Sequence, residues 1–236
     1  MPQASKNYLF RFKQFQLRHT ASAMKVGTDS LLLGAWAPVT GEEKKLLDIG
    51  SGSGILCLML AQKQPDARIT GVEIDELAAL ESMENIAISP WRDRIHIFCQ
   101  DICDFNASEK FDFIISNPPF YLHLQPGDIQ RSLARHQSAL NTGSLFLNIN
   151  RLLSASGRCC MILPFDQETK YLGAARTVQL FPESIVQVRH RVHAPVRRLL
   201  ITFGRTEVKV NSRLLTIEED GNRSPEYNDM MKPYLL

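Results

Sequence analysis

The stretch LLDIGSGSG, Leu46 to Gly54, decides how this chain is read. An apolar run, KKLLDIG, ends in Asp48 and in glycines at 50, 52 and 54, and the apolar segment ILCLMLAQK follows at once. That is a short buried strand, a glycine turn and a helix. Glycines let backbone approach a ligand closely and supply dihedrals that other residues avoid. The helix start adds free N–H groups that favour a carboxylate or phosphate. A dinucleotide loop of the form GxGxxG would place its third glycine at position 55, where Ile55 stands, so pyrophosphate binding fits less well. A purely structural tight turn stays open on these residues alone.

Working outward, strands and helices alternate. ARITGVEID is a strand and ELAALESMENIAI a helix, with Leu77, Leu80, Met83 and Ile86 at helical spacing. RIHIFCQD and FDFIISNPP are the third and fourth strands; a helix around Leu145 to Leu153 precedes the fifth, GRCCMILP. A helix from Gln167 to Val178 leads to SIVQVRHRV and RRLLITFGR, joined by a short stretch with Pro195. Crossover helices between strands imply a parallel sheet with helices on both faces. The expectation is an α/β fold: a mostly parallel seven-stranded sheet ending in an antiparallel hairpin. One domain spans 1–236: a preamble over 1–38, where Asp29 is expected to cap a short apolar helix, a core over 39–204, and an extension over 205–236. In the extension, EVKVNSRLLTI suggests an extra strand pair, and EYNDMMKPYLL is apolar enough to dock on the body.

Three acidic residues close strands. Glu73, some twenty residues past the glycines, can accept both ribose hydroxyls of a bound adenosine. Asp75 reads better as a helix cap. Asp101 can accept an adenine amino group or simply close a turn. The fourth strand runs into Asn117-Pro118-Pro119-Phe120, at the strand end where open α/β sheets bind ligands. Prolines fix this backbone; the Asn117 amide oxygen and the Pro118 carbonyl form two acceptors for one planar NH₂ group, and Phe120 offers a face to stack on a base. An exocyclic amine shares its lone pair with its ring and is a poor nucleophile. Two acceptors on its protons draw it toward a tetrahedral shape and stabilise the developing positive charge.

With 236 residues, 44% apolar and 22% charged, the chain has a globular composition, which excludes a disordered chain or a collagen-like fibre. No apolar run approaches the ~18 residues of a membrane span, and MPQASKNYLFRFK lacks the pattern of a secretory signal. Five scattered cysteines (Cys57, Cys99, Cys103, Cys159, Cys160) read as reduced, buried thiols of a cytoplasmic protein, with no metal site. The net charge of +2 hides two basic stretches without acids: Lys6, Arg11, Lys13, Arg18 and Lys25, then Arg189, Arg191, Arg197, Arg198 and Arg205. Together they suggest one positive face for a polyanion, ordinary solvated surface being the alternative.

DIGSGSG, GVEID and SNPPF together resemble class I S-adenosylmethionine-dependent methyltransferases that act on amines. FRFKQFQLRHTASAMKVGTDSLLLGAWA and YNDMMKPYLL narrow the resemblance to bacterial tRNA(Val) adenine-37 N6-methyltransferases, over nearly the whole chain. The resemblance implies a Rossmann-like fold and S-adenosylmethionine as cofactor, and methyl transfer to the N6 amine of an adenine beside the anticodon. It implies a catalytic Asn117, Pro118, Pro119 and Phe120. It also implies a cofactor site from Lys25, Thr28, Asp29, Asp48, Gly50, Gly52, Gly54, Glu73, Asp101 and Asn117. The partner expected is a tRNA anticodon stem-loop, held by Arg11, Lys13, Arg135, His136, Arg189, Arg197 and Arg198, with the enzyme a monomer. Between the fourth strand and the next helix, YLHLQPGDIQRSLARHQ reads as a loop helping to form the substrate pocket, with Arg131, Arg135 and His136 near phosphate. Relatives that methylate a ribosomal RNA guanine or a protein glutamine are the alternative; the glutamine enzymes favour NPPY over the NPPF found here.

Overall fold

The computed structural model describes residues 8–19, 27–119 and 141–236. Lys25, Phe120, Arg131, Arg135 and His136 lie outside these residues.

A nine-stranded sheet organises the molecule. Its strands are β3 (Lys45–Ile49), β4 (Arg68–Glu73), β5 (Ile95–Cys99), β6 (Phe111–Ser116), β7 (Leu153–Pro164), β8 (Phe181–Arg191), β9 (Val196–Gly204), β10 (Asn211–Glu219) and β11 (Asn222–Arg223). They lie in the order β11-β10-β8-β9-β7-β6-β3-β4-β5. Strands β3 to β7 pair in parallel, and β9 runs antiparallel between β7 and β8. The hairpin expected at the sheet's end is present as β8–β9, but it is not the end. The extension continues the sheet past seven strands by laying β10 parallel to β8, because Leu215 and Ile217 of β10 join the core. β11 only pairs back for two residues.

One face of the sheet is covered by α1 (Thr28–Trp36), α2 (Ile55–Lys63), α3 (Glu76–Ala87) and α6 (Pro225–Met231), with a separate hairpin of β1 (Tyr8–Arg11) and β2 (Gln16–His19). The other face is covered by α4 (Thr142–Leu152) and α5 (Glu168–Thr177). The core strands are buried on both sides, as parallel sheets require. The tail docks as its apolar composition implies. Tyr234 is fully buried, and its carbonyl accepts from the Lys13 N–H at 2.8 Å, tying the tail to the preamble.

The helix expected over ELAALESMENIAI is present as α3, but of Leu77, Leu80, Met83 and Ile86 only Ile86 is buried: Leu77 is 63% and Leu80 50% exposed. The buried face of α3 is instead Ala78, Ala79, Glu81, Ser82 and Asn85, because this face packs against the glycine loop and β2, whose backbone groups bond to Asn85. Asp29 does not cap α1. Gly27 holds the cap position, and the Asp29 carboxylate, in the first turn, accepts from Arg198 Nε at 2.8 Å. Of the five cysteines, all free, Cys57, Cys159 and Cys160 are buried, but Cys99 and Cys103 are exposed.

Candidate active site

Strand order reverses between β3 and β6: β4 and β5 extend the sheet one way, β7 and β9 the other. Such a switch point leaves a crevice at the carboxyl ends of the strands. Here Ile49 of β3 lies opposite Ser116 of β6, and Ser116 Oγ donates to the Ile49 carbonyl at 2.8 Å. The next residue on each strand is Gly50 on one side and Asn117 on the other. Adjacent strands are about 4.8 Å apart, so topology sets the glycine loop beside the asparagine, although they are far apart in sequence.

The loop is held from behind. Gly50 and Ser51 N–H groups donate to the Val72 carbonyl at 2.9 and 3.2 Å. Gly52 N–H donates to Glu73 Oε2 at 2.8 Å, and the other Glu73 oxygen accepts from Asp75 N–H at 3.0 Å. Asp75 itself caps α3, accepting from Ala78 N–H at 3.0 Å, as the sequence suggests. Gly54, at φ +83°, is left-handed, and a Cβ there would stand 2.6 Å from Ser82 Oγ. Gly50, at φ +77°, has nothing among the described residues within 4 Å of its Cβ position, so the loop presents bare backbone. A cofactor needing close backbone contact fits this cradle.

Asp48 sits beneath the loop rather than on it. It has no exposed surface; Cys57 Sγ donates to its Oδ2 at 3.4 Å, and Oδ1 has no partner among the described residues. Burial raises its carboxyl up to about 7, and the charge of Glu73 adds to the rise. Asp101 is half-buried and accepts from Cys103 N–H at 2.8 Å, closing a turn after β5.

Across the crevice, Asn117 and Pro118 are buried and Pro119 is exposed. Asn117 Nδ2 donates to Ser30 Oγ at 3.0 Å, while its Oδ1 is buried with no partner among the described residues. A buried amide oxygen without a donor is costly; an amine arriving in the crevice would satisfy it. Ser30 belongs to the first turn of α1, and the sequence gives no signal for it. That helix is pinned at both ends: Asp29 pairs with Arg198 of β9, and Lys63 Nζ donates to the carbonyls of Ala35 and Ala37 at 2.5 and 2.9 Å. Burial lowers the Lys63 ammonium to about 8. Thr28, at the helix start, is exposed.

The basic residues fall into two groups. Pro164 pairs with Arg198, so the start of β9 and the end of β8 reach the same sheet edge as Asn117. There Arg189 Nε donates to Thr216 Oγ1 at 2.9 Å, Arg191 pairs with Glu218 at 3.2 Å and Arg198 with Asp29. Arg205 caps the end of α4 through the Asn150 and Leu153 carbonyls. Arg197 is exposed, with no side-chain partner among the described residues. Arg11 and Lys13 are exposed on the hairpin, Lys13 Nζ donating to the Lys232 carbonyl at 2.7 Å.

Comparison with known proteins gives three findings. The family described as "Methyltransferase small domain" matches residues 20–163. The "tRNA1(Val) (adenine(37)-N6)-methyltransferase" of Flavobacterium johnsoniae is 40% identical over 233 residues, covering 97% of this chain and 99% of that one. The proteins of the same description from Bacteroides thetaiotaomicron and Aeromonas hydrophila are 41% and 38% identical, each covering 98% of both chains. Among solved structures, a predicted O-methyltransferase from Agrobacterium tumefaciens superposes with a TM-score of 0.69 at 17% identity, covering 87% of this chain and 96% of that one. That likeness shows the Rossmann-like fold of class I methyltransferases.

Proposed function

Since the chain belongs to the tRNA1(Val) (adenine(37)-N6)-methyltransferase family, we propose that it transfers a methyl group from S-adenosylmethionine to the N6 amine of adenine 37 in tRNA(Val). The observation that carries this reading is the Asn117 amide: a buried acceptor with no partner among the described residues, fixed by Ser30 one strand away from an open glycine loop.

Bound S-adenosylmethionine supplies an electrophilic methyl group on a sulfonium, so the protein's work is to place and polarise the amine. Gly50, Gly52 and Gly54 would let the cofactor lie against backbone, and Glu73, whose oxygens each keep a second lone pair, would accept the ribose hydroxyls. Asp101 would meet the adenine end, and Lys25, Thr28 and Asp29 would border the methionine end. Asp48 supports the loop from below. On the substrate side, Asn117 Oδ1 and the Pro118 carbonyl accept the two amine protons, drawing the nitrogen lone pair out of the ring. Pro119 and Phe120 would complete the wall against which the base stacks. Holding donor and acceptor in line supplies several kcal/mol of the barrier without a strong general base.

The anticodon stem-loop would contact Arg11, Lys13, Arg135, His136, Arg189, Arg197 and Arg198, with phosphate contacts fixing position while the pocket selects the base. Among the described residues no helix is long and apolar enough to cross a membrane. Free thiols suit a reducing compartment, and we take the enzyme to act in the cytoplasm as a monomer.

The test is methylation of an unmodified tRNA(Val) transcript, mapped by nuclease digestion and mass spectrometry. N6-methyladenosine at position 37 is expected, with Asn117→Ala reducing turnover about 10²–10³-fold. Methyl transfer to a different base, or near-normal turnover in that variant, overturns the assignment.

A further inference from the structure

We propose that Asn85 is a positioning residue that couples cofactor binding at the glycine loop to RNA binding on the β1–β2 hairpin; this rests on the activity proposed above. Asn85 is fully buried on α3. Its Oδ1 accepts from the Arg18 N–H at 2.8 Å, and its Nδ2 donates to the Arg18 carbonyl at 2.9 Å and to the Ser53 carbonyl at 3.0 Å. All three partners are backbone groups of fixed polarity, so only one orientation of the amide satisfies them. Two of them lie on β2, the third within the glycine loop. One side chain therefore hydrogen-bonds to both segments at once.

The hairpin that Asn85 grips carries the features of a nucleic-acid contact. Leu9 and Phe10 are exposed, and Arg11, Lys13 and Arg18 stand exposed around them. Leu9, Arg11 and Arg18 share the outer face, Leu9 pairing with Arg18 across the strands, whereas Phe10 lies opposite buried Leu17 on the other face; the cations suit phosphate and apolar Leu9 suits an unstacked base, the pairing of features that single-stranded RNA favours. The far side of the hairpin is fixed to the body by buried Phe12, Phe15 and Leu17. RNA that immobilises the outer face holds the Arg18 peptide groups still, which holds Asn85, which holds the Ser53 carbonyl. A loop ordered in advance loses less freedom when the cofactor arrives, so each ligand favours the other. By linkage the factor must be the same in both directions.

The experiment measures that factor with the full chain. S-adenosylhomocysteine, which cannot donate a methyl group, is titrated with and without saturating tRNA(Val) transcript, and the transcript is titrated with and without S-adenosylhomocysteine. The wild type should show affinities raised about 3- to 10-fold in both directions; Asn85→Ala should bring both factors close to one, and Asn85→Asp, which sets an oxygen against two carbonyls, should do the same. A factor unchanged in Asn85→Ala, even with a lowered melting temperature, makes Asn85 a structural staple and overturns the proposal, as does a wild-type factor of one. Should the variants not fold, hydrogen exchange of the wild type decides. S-adenosylhomocysteine alone should slow exchange of the Arg18 amide, whose hydrogen bonds to Asn85; no slowing overturns the relay. This last reading needs no RNA, so failure of the tRNA assignment and failure of the relay are separable.

Discussion

Asp48 makes the sharpest quantitative prediction. Its carboxyl is fully buried, and burial away from water, with the charge of Glu73 adding to it, raises its pKa from 3.8 to about 7. The unfolded chain gives up this proton near 3.8, the folded protein only near 7. Between those values the folded state binds the extra proton, so stability falls as pH rises and levels off above about 7. Each pH unit in that window is worth about 1.4 kcal/mol. Between pH 5 and pH 8 the loss spans roughly two units, hence about 3 kcal/mol, a large part of a typical stability of about 5–15 kcal/mol. Asp48→Asn has nearly the same shape and nothing to titrate. Urea unfolding at pH 5, 6, 7 and 8 should therefore show the variant gaining on the wild type by about 3 kcal/mol, with no further gain above pH 8. Other titrating groups cancel in the difference because both proteins carry them. A stability difference that stays flat across the series would show that Asp48 is ionised throughout and would refute the reasoning.

Glu73→Ala should weaken S-adenosylmethionine by tenfold or more, since a charge-assisted hydrogen bond contributes about 1.5–3 kcal/mol; calorimetric affinity equal to wild type would leave Glu73 as a brace for Gly52 alone. Gly54→Ala should cost about 1–3 kcal/mol in urea unfolding, because φ is positive and Ser82 Oγ stands 2.6 Å from the Cβ position; Ser82→Ala in the same chain should recover only the clash, and a neutral single variant contradicts the geometry. Arg197→Ala should make the salt slope of log tRNA affinity shallower by roughly 0.7 to 0.9; Arg198→Ala should do the same and also lower turnover by loosening α1, because Arg198 pairs with Asp29 as well; identical behaviour of the two variants would show that the Asp29 pair carries no weight.

The elements that were legible in the sequence are those whose signal is local. The glycine loop, the strand-ending acids and the Asp75 cap all declare themselves within a few residues. What stayed hidden depends on contacts between distant segments. Nothing in ELAALESMENIAI says that its leucines face outward, because the reason lies in backbone of the glycine loop and of β2 pressing on the opposite side. Asp29 looks like a cap because its partner, Arg198, is 169 residues away. Counting arginines toward one basic face also counts Arg205, whose guanidinium is occupied by the end of α4. Ser30 and Asn85 carry no motif; a serine in a first helical turn and an asparagine in a helix are common, and only their partners single them out.

The switch point explains why these distant contacts fall where they do. Chain order puts the glycine loop after β3 and Asn117 after β6, and the reversal of strand order makes them neighbours, with Ser116 Oγ bonded to the Ile49 carbonyl just before them. A crevice made this way has two rigid walls on separate strands, but its open side has to be built by something else. The preamble does this on both flanks: α1 reaches Asn117 through Ser30, and β2 reaches the glycine loop through Asn85. The same thirty-odd residues carry Arg11, Lys13 and Arg18. On the proposed reading, this segment completes the substrate wall, braces the cofactor wall and carries cations for phosphate, so the doubly wound core holds the cofactor and the preamble contributes the contacts to a nucleic-acid substrate.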